Sequence, residues 1–262
     1  MSLTVLKLGG SLITRKSEDK MEVDEETLKR LACEISEAMY EGGMTLVVVH
    51  GAGPFGHVLA KEYQLDRGYQ SRKQVRGLAL THKSMEALNE KVVSALVDSG
   101  VNAIACQPSA GGILDGRKLA EYPVRSVELL LGLGLTPVAY GDVLPDLKTG
   151  FNILSGDHLV PYLAGRLRAD RVIITTSHNG IYDRSPDDKN AVKYDRVDGD
   201  VMAELEKRET DGTDVTGGIA RKVRELLTLS EDGIKSEVIS GARPGYLKRA
   251  LMGEEGIGTI IG

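Results

Sequence analysis

The sequence predicts an α/β protein: a three-layer α/β/α sandwich whose central sheet is mostly parallel. Three observations carry that expectation. Short apolar strands such as Leu46–Val49 and Val172–Ile174 run without polar interruption, as expected when both faces of a sheet are covered. Segments with apolar residues three and four apart separate them, which makes βαβ units. Glycine-rich turns follow several of the strands, where the carboxyl edge of a parallel sheet gathers its ligands.

Taken in order, the chain opens with an apolar strand from about Leu3 that breaks at Gly9-Gly10. Residues 24–41 carry Leu28, Leu31, Ile35 and Met39 on one helical face, with Asp24 as N-cap and Gly42-Gly43 as the stop. The strand Leu46–Val49 leads to His50. Between Ser71 and Ser99 a long helix turns Val75, Leu78, His82, Met85, Leu88, Val92 and Leu96 toward a core. A strand at Ala103–Cys106, a helix at Val124–Leu133 and a strand at Pro137–Tyr140 come next. The helix His158–Leu167 feeds the strand Arg171–Thr175. Tyr182–Val197 reads as a polar surface excursion. It precedes a helix at Asp200–Arg208, a glycine turn at Gly212–Gly218 and a helix at Ile219–Leu229. The strand Glu237–Ser240, a short helix from Gly245 and an edge strand at Gly258–Ile261 close the chain.

Composition narrows the functional classes. At 262 residues the chain suits one large domain or two closely packed lobes. A net charge of −5 argues against a nucleic-acid protein, so local lysines must hold any anionic ligand. No apolar run has the length of a membrane span, and the N-terminus lacks a signal-peptide core. Cys33 and Cys106 stand far apart without metal-ligand spacing, which predicts two reduced, buried thiols in a cytoplasmic protein.

Four turns are candidates for chemistry. In Lys7-Leu8-Gly9-Gly10-Ser11 the glycines let the backbone approach a bulky ligand, and the amides can converge on an anion. Lys7 and Lys16 flank that concavity with compact charges. It is not a Walker A loop, and read alone it can equally be a Gly-Gly turn with two solvated lysines. His50-Gly51-Ala52-Gly53-Pro54-Phe55-Gly56-His57 matches G-x-G-x-x-G, but no following strand carries the acid of a dinucleotide site. What remains is a glycine-rich turn opening a helix that can bind an anion. His50 reads as structural. His57, protonated, can donate a charge-assisted bond to a phosphate, or can be a surface histidine. In Ser155-Gly156-Asp157 the aspartate either caps a helix or holds the lysines in place. Thr216-Gly217-Gly218 opens a fourth helix, with Lys222 one turn in and able to reach back.

These motifs, in this order from Lys7 to Lys222, resemble the amino acid kinase superfamily, and His57 with Lys16 is most similar to its isopentenyl phosphate kinase branch. The resemblance implies a homodimer using ATP and Mg²⁺, with isopentenyl phosphate as the acceptor and no nucleic-acid or membrane partner. It implies an acceptor-binding lobe over residues 1–165 and a nucleotide-binding lobe over 166–262, within one continuous domain. Carried over, Lys7, Gly9, Gly10 and Ser11 border the transferring phosphates, together with Gly53. Lys16 stabilises the transition state. His57 grips the acceptor phosphate beside Gly51, Ala52, Gly56 and Gly156, and Asp157 organises the lysines. Gly180, Asp183, Gly217 and Lys222 hold ATP, and no protein side chain is assigned to the metal. Relatives carry Asp-x-Asp-Gly where this chain has Ser177-His178-Asn179-Gly180, which sets its nucleotide site apart. A kinase of another phosphate or phosphonate (fosfomycin kinase-like), a kinase of an amino acid carboxylate and a non-catalytic nucleotide sensor are the alternatives. If the long helix faces the acceptor cavity, Tyr69, Leu78, His82, Met85 and Val143 lie near the acceptor's tail.

Overall fold

The computed structural model describes residues 2–15, 21–210 and 219–262, with 208–210 and 219–222 described by backbone alone. Its strands are β1 (Leu3–Leu8), β2 (Thr45–His50), β3 (Ala103–Ala105), β4 (Ile113–Asp115), β5 (Lys118–Glu121) and β6 (Thr136–Tyr140). After them come β7 (Asp142–Asp146), β8 (Gly150–Leu154), β9 (Arg171–Thr176), β10 (Arg196–Val197), β11 (Lys235–Ser240) and β12 (Thr259–Ile261). The helices are α1 (Gly10–Ile13), α2 (Glu25–Gly42), α3 (Gly53–Glu62), α4 (Arg72–Asp98) and α5 (Val124–Gly132). The remaining ones are α6 (Gly156–Leu167), α7 (Gly199–Thr210), α8 (Ile219–Glu231) and α9 (Tyr246–Leu251).

Eight strands form the main sheet in the order β10-β12-β11-β9-β1-β2-β6-β3. From β11 to β3 every pairing is parallel, and only the β11–β12 pair is antiparallel. β1 lies between β2 and β9 with Leu8 in register with both His50 and Thr175. Three strand ends therefore reach the carboxyl edge side by side.

Strand alternation then decides which helix each residue meets. Val5, Val47 and Val49 point to one face and pack with Leu159, Val160 and Leu163 of α6. Leu6, Leu8 and Val48 point to the other and pack with Leu28, Leu31 and Ile35 of α2 and with Leu88 and Val92 of α4. Each of these aliphatic side chains is nearly or fully buried, a gain of about 1.5–3 kcal/mol apiece. Lys7 shares the face of Val5 and so meets α6. His50 shares the face of Val48 and so meets α4.

Helix ends follow their sequence signals. The Asp24 carboxylate accepts from the Thr27 N–H, and Gly43 closes α2 with φ of 57°. Ser71 and Gln74 form a capping box at the start of α4.

Several expectations change. Gly258–Ile261 is not an edge, because β10, from within the supposed surface excursion, pairs with β12 on its outer side. A second sheet, ordered β5-β4-β7-β8, adds to the one sheet expected and contains Val143. Its β7–β8 hairpin delivers Asp142, Val143, Ile153 and Leu154 to the carboxyl edge. On α4, Val75 is 53% exposed and does not face the core. The buried face there is Gln74, Gly77 and Thr81, because Tyr63 packs onto Gly77 so closely that a Cβ would lie 2.2 Å from its ring. Cys33 and Cys106 are free thiols, each half-buried instead of buried. The glycine turn 212–218 lies outside the described residues. No described helix is long and apolar enough to cross a membrane.

Candidate active site

A cleft of about 640 Å³ opens along the carboxyl edge, where the turns after β1, β2 and β9 meet the start of α6. Its floor is backbone against backbone. A Cβ on Gly10 would lie 2.4 Å from the Gly53 nitrogen, and one on Gly51 would lie 2.6 Å from the Gly10 nitrogen. No side chain larger than hydrogen fits at either place, which is the physical reason for glycine in both turns. Gly53 takes φ of 52°, the left-handed region, at the start of α3.

Three helix starts converge here, those of α1, α3 and α6. In α1 the first intrahelical bonds are made by the Leu12 and Ile13 amides to the Gly9 carbonyl. The Gly10 and Ser11 amides precede them at the cleft wall, as the donors of an anion-binding turn would. Thr175 on β9 is fully buried, and its hydroxyl donates to the Lys7 carbonyl at 3.0 Å and accepts from the Gly9 N–H at 3.4 Å. It thus grips β1 on both sides of its last residue.

Lys7 is 7% exposed and pairs directly with Asp157 in the first turn of α6. The N-cap of that helix is Ser155, whose hydroxyl accepts from the Asp157 N–H at 3.1 Å. Asp157 is therefore not the cap. Ser155, two residues earlier, satisfies the orphan amide, and its hydroxyl also donates at 3.4 Å to the carboxylate that pairs with Lys7.

His50 is fully buried at the end of β2. It stacks on Tyr140 with ring centroids 5.4 Å apart, and its ring nitrogens face the Gly51 carbonyl and Asn89. Burial pushes its pKa down to about 4, against the opposing effect of those two hydrogen bonds, so it is a neutral packing residue. His57 is exposed and lines the cleft. It is the fifth residue of α3, about one turn into the helix.

Lys7, Gly9, Gly10, Ser11, Gly51 and Ala52 all line this one cleft, as do Gly53, Gly56, His57, Gly156, Asp157 and Gly180. Asp183 is absent from that lining. Its carboxylate accepts from the Val192 N–H and pairs with Arg184, which closes the 183–192 loop. Lys16 and Gly217 lie outside the described residues. Lys222 falls in the first turn of α8, where only the backbone is described. Gly180 has φ of 117° and leaves no room for a Cβ, which would sit 2.3 Å from the Thr259 hydroxyl. Near it, His178, Tyr182 and Arg184 line the C-terminal end of the cleft.

On the other side, Ala60, Met85, Val143 and Ile153 form an apolar wall. Met85 and Val143 were legible in the sequence, whereas Ala60 and Ile153 were not. Leu78 packs in the small cluster of Ala60, Leu65 and Phe151, and Tyr69 is 53% exposed against Phe151. His82 donates or accepts at the buried Asp142 at 3.0 Å, and that carboxylate also accepts from the Ser109 and Val143 amides. Asp142, just after Gly141 in the β6–β7 connection, and Thr175, inside β9, stand outside the four turns singled out in the sequence.

A family model described as the amino acid kinase family matches residues 2–240. The chain is 39% identical to isopentenyl phosphate kinase of Methanothermobacter thermautotrophicus, over 99% of this chain and 98% of that protein. It is 36% identical to isopentenyl phosphate kinase of Haloferax volcanii, over 95% and 99% respectively. A solved structure of an isopentenyl phosphate kinase superposes with a TM-score of 0.85 at 36% identity, covering 99% of this chain and all of that one.

Proposed function

The chain belongs to the amino acid kinase family, and from that premise we propose that it transfers the γ-phosphate of ATP to isopentenyl phosphate, forming isopentenyl diphosphate. The observation that carries this reading is one cleft lined by a lysine-and-amide anion site, an apolar wall and His57. A carboxylate substrate would leave that wall and that histidine without a purpose.

The chemistry follows from the acceptor. A phosphate monoester has its second pKa near ~6, so its attacking oxygen is already ionised at neutral pH and needs no general base. That oxygen forms a bond to the γ-phosphorus as the bond to the β–γ bridging oxygen breaks, and the electron pair leaves on ADP. The difficulty is bringing two polyanions together, which calls for positioning and positive charge. Lys7, oriented by Asp157, supplies a fixed ammonium, and the Gly10 and Ser11 amides supply neutral donors. Lys16 adds a second charge to the transferring group in this reading. His57 holds the acceptor phosphate while Ala60, Met85, Val143 and Ile153 cover its hydrocarbon tail.

Mg²⁺ fits this donor set only as an ion carried by the nucleotide. Among the described residues no three His, Cys, Asp or Glu side chains gather, and Asp157 is engaged with Lys7. Phosphate oxygens and water would hold most of its coordination shell, and the ion would offset charge on the phosphates. Nucleotide binding by the C-terminal side near Gly180 and Lys222, acceptor binding by the N-terminal side, a homodimer and a cytoplasmic location belong to the same proposal. Ser177 and Asn179 make the nucleotide turn less acidic than in its relatives. ADP release measured with ATP and a panel of small monophosphates tests the reading. Turnover should be greatest with isopentenyl phosphate, and a preference for a carboxylate or phosphonate acceptor would refute it.

A further inference from the structure

The apolar wall of the acceptor side has one interruption. Thr81 on α4 is 3% exposed and lines the cleft, yet its hydroxyl has no hydrogen-bond partner. A threonine within a helix commonly donates back to the carbonyl one turn earlier, which here is that of Gly77, and Thr81 does not. A buried hydroxyl left unpaired is a cost that valine, of the same shape, would avoid. The other polar side chain on this wall, Asp142, is engaged by His82, Ser109 and Val143.

We propose that Thr81 is a specificity-determining residue whose hydroxyl bonds an oxygen carried on the acceptor's carbon chain. The enzyme then phosphorylates short monophosphates with a tail hydroxyl as well as the hydrocarbon acceptor. This rests on the phosphate-acceptor reading above. The Thr81 oxygen is sealed within the wall, and a helical threonine has two accessible χ1 wells. A turn about Cα–Cβ exchanges what the side chain presents to the ligand. A methyl group suits a hydrocarbon tail, and a hydroxyl suits an oxygenated one. Gly56 and Ala60 of α3, with no side chain larger than a methyl group, line the same cleft. The transfer step is unchanged: the phosphate oxygen attacks the γ-phosphorus, ADP leaves, and the tail hydroxyl is not altered.

The test uses two acceptors with one carbon skeleton, isopentenyl phosphate and 3-hydroxy-3-methylbutyl phosphate, with the wild type, Thr81→Val and Thr81→Ser. The wild type should turn over both. Thr81→Val should lower the ratio of kcat/KM for the hydroxylated acceptor to that for isopentenyl phosphate by about three- to tenfold, the worth of one neutral hydrogen bond. Thr81→Ser, which keeps the hydroxyl, should retain activity on the hydroxylated acceptor. If Thr81→Val does not fold, Thr81→Ala removes the same hydroxyl. A wild type active on isopentenyl phosphate but not on its hydroxylated analogue overturns the inference, as does an equal loss on both acceptors in Thr81→Val. A wild type inactive on both overturns instead the acceptor reading beneath it.

Discussion

Gly10 and Gly51 are in backbone contact: a Cβ on Gly51 would lie 2.6 Å from the Gly10 nitrogen and 3.1 Å from its Cα. Two turns from different strands are thereby fused into one surface of amides. Gly10→Ala or Gly51→Ala must push the turns apart, and overpacking of this kind costs about 1–3 kcal/mol. Each variant should lose that much in denaturant unfolding and lose turnover by at least about a hundredfold, because misplacement near 1 Å is enough to do so. Near-normal kcat in either variant would mean that the turns are not held as a unit.

The pair between Lys7 and Asp157 makes a second prediction. Both side chains are largely buried, at 9% and 16% exposure, so removing one partner strands a charge in a poor environment. Asp157→Asn should destabilise the fold by about 3 kcal/mol. Lys7→Met combined with Asp157→Asn should recover much of that stability and none of the activity. Recovery of both would show that the pair is only structural.

The glycine turns were legible in the sequence because close backbone contact and a positive φ both demand glycine. Lys7, Gly10, Gly51, Gly56 and Asp157 could thus be placed in one site before any coordinates. The long helices were equally plain, since their apolar spacing extends over many turns. Other features depended on partners distant in sequence. Val75 continues the apolar spacing of α4, but Tyr63 covers Gly77 and rotates the buried face toward Gln74 and Thr81. The β7–β8 hairpin carries Pro145, two aspartates and an asparagine, so its strands do not read as apolar runs. Asp183 follows a glycine turn, as a ligand-binding residue would, but the Val192 amide and Arg184 take its carboxylate.

A pH dependence follows from His50. Burial holds its folded pKa at about 4, below the usual 6.5. As pH falls below 6.5 the unfolded chain takes up a proton that the folded chain refuses, so stability declines down to about pH 4. The total is roughly 3 kcal/mol from 2.5 pH units. Unfolding free energies of the wild type and His50→Gln, measured from pH 7 to pH 4, should converge as the acid limit is approached. Parallel curves would mean that His50 takes up its proton as readily in the fold as in the unfolded chain.

That the acceptor is a phosphate rests above all on His57. Steady-state kinetics on His57→Ala, with each substrate varied in turn, separate the two halves of the cleft. A charge-assisted hydrogen bond of about 1.5–3 kcal/mol is lost from the acceptor side alone. The KM for isopentenyl phosphate should rise about ten- to a hundredfold while that for ATP stays within about twofold. An unchanged acceptor KM, or an equal rise for ATP, would contradict the account.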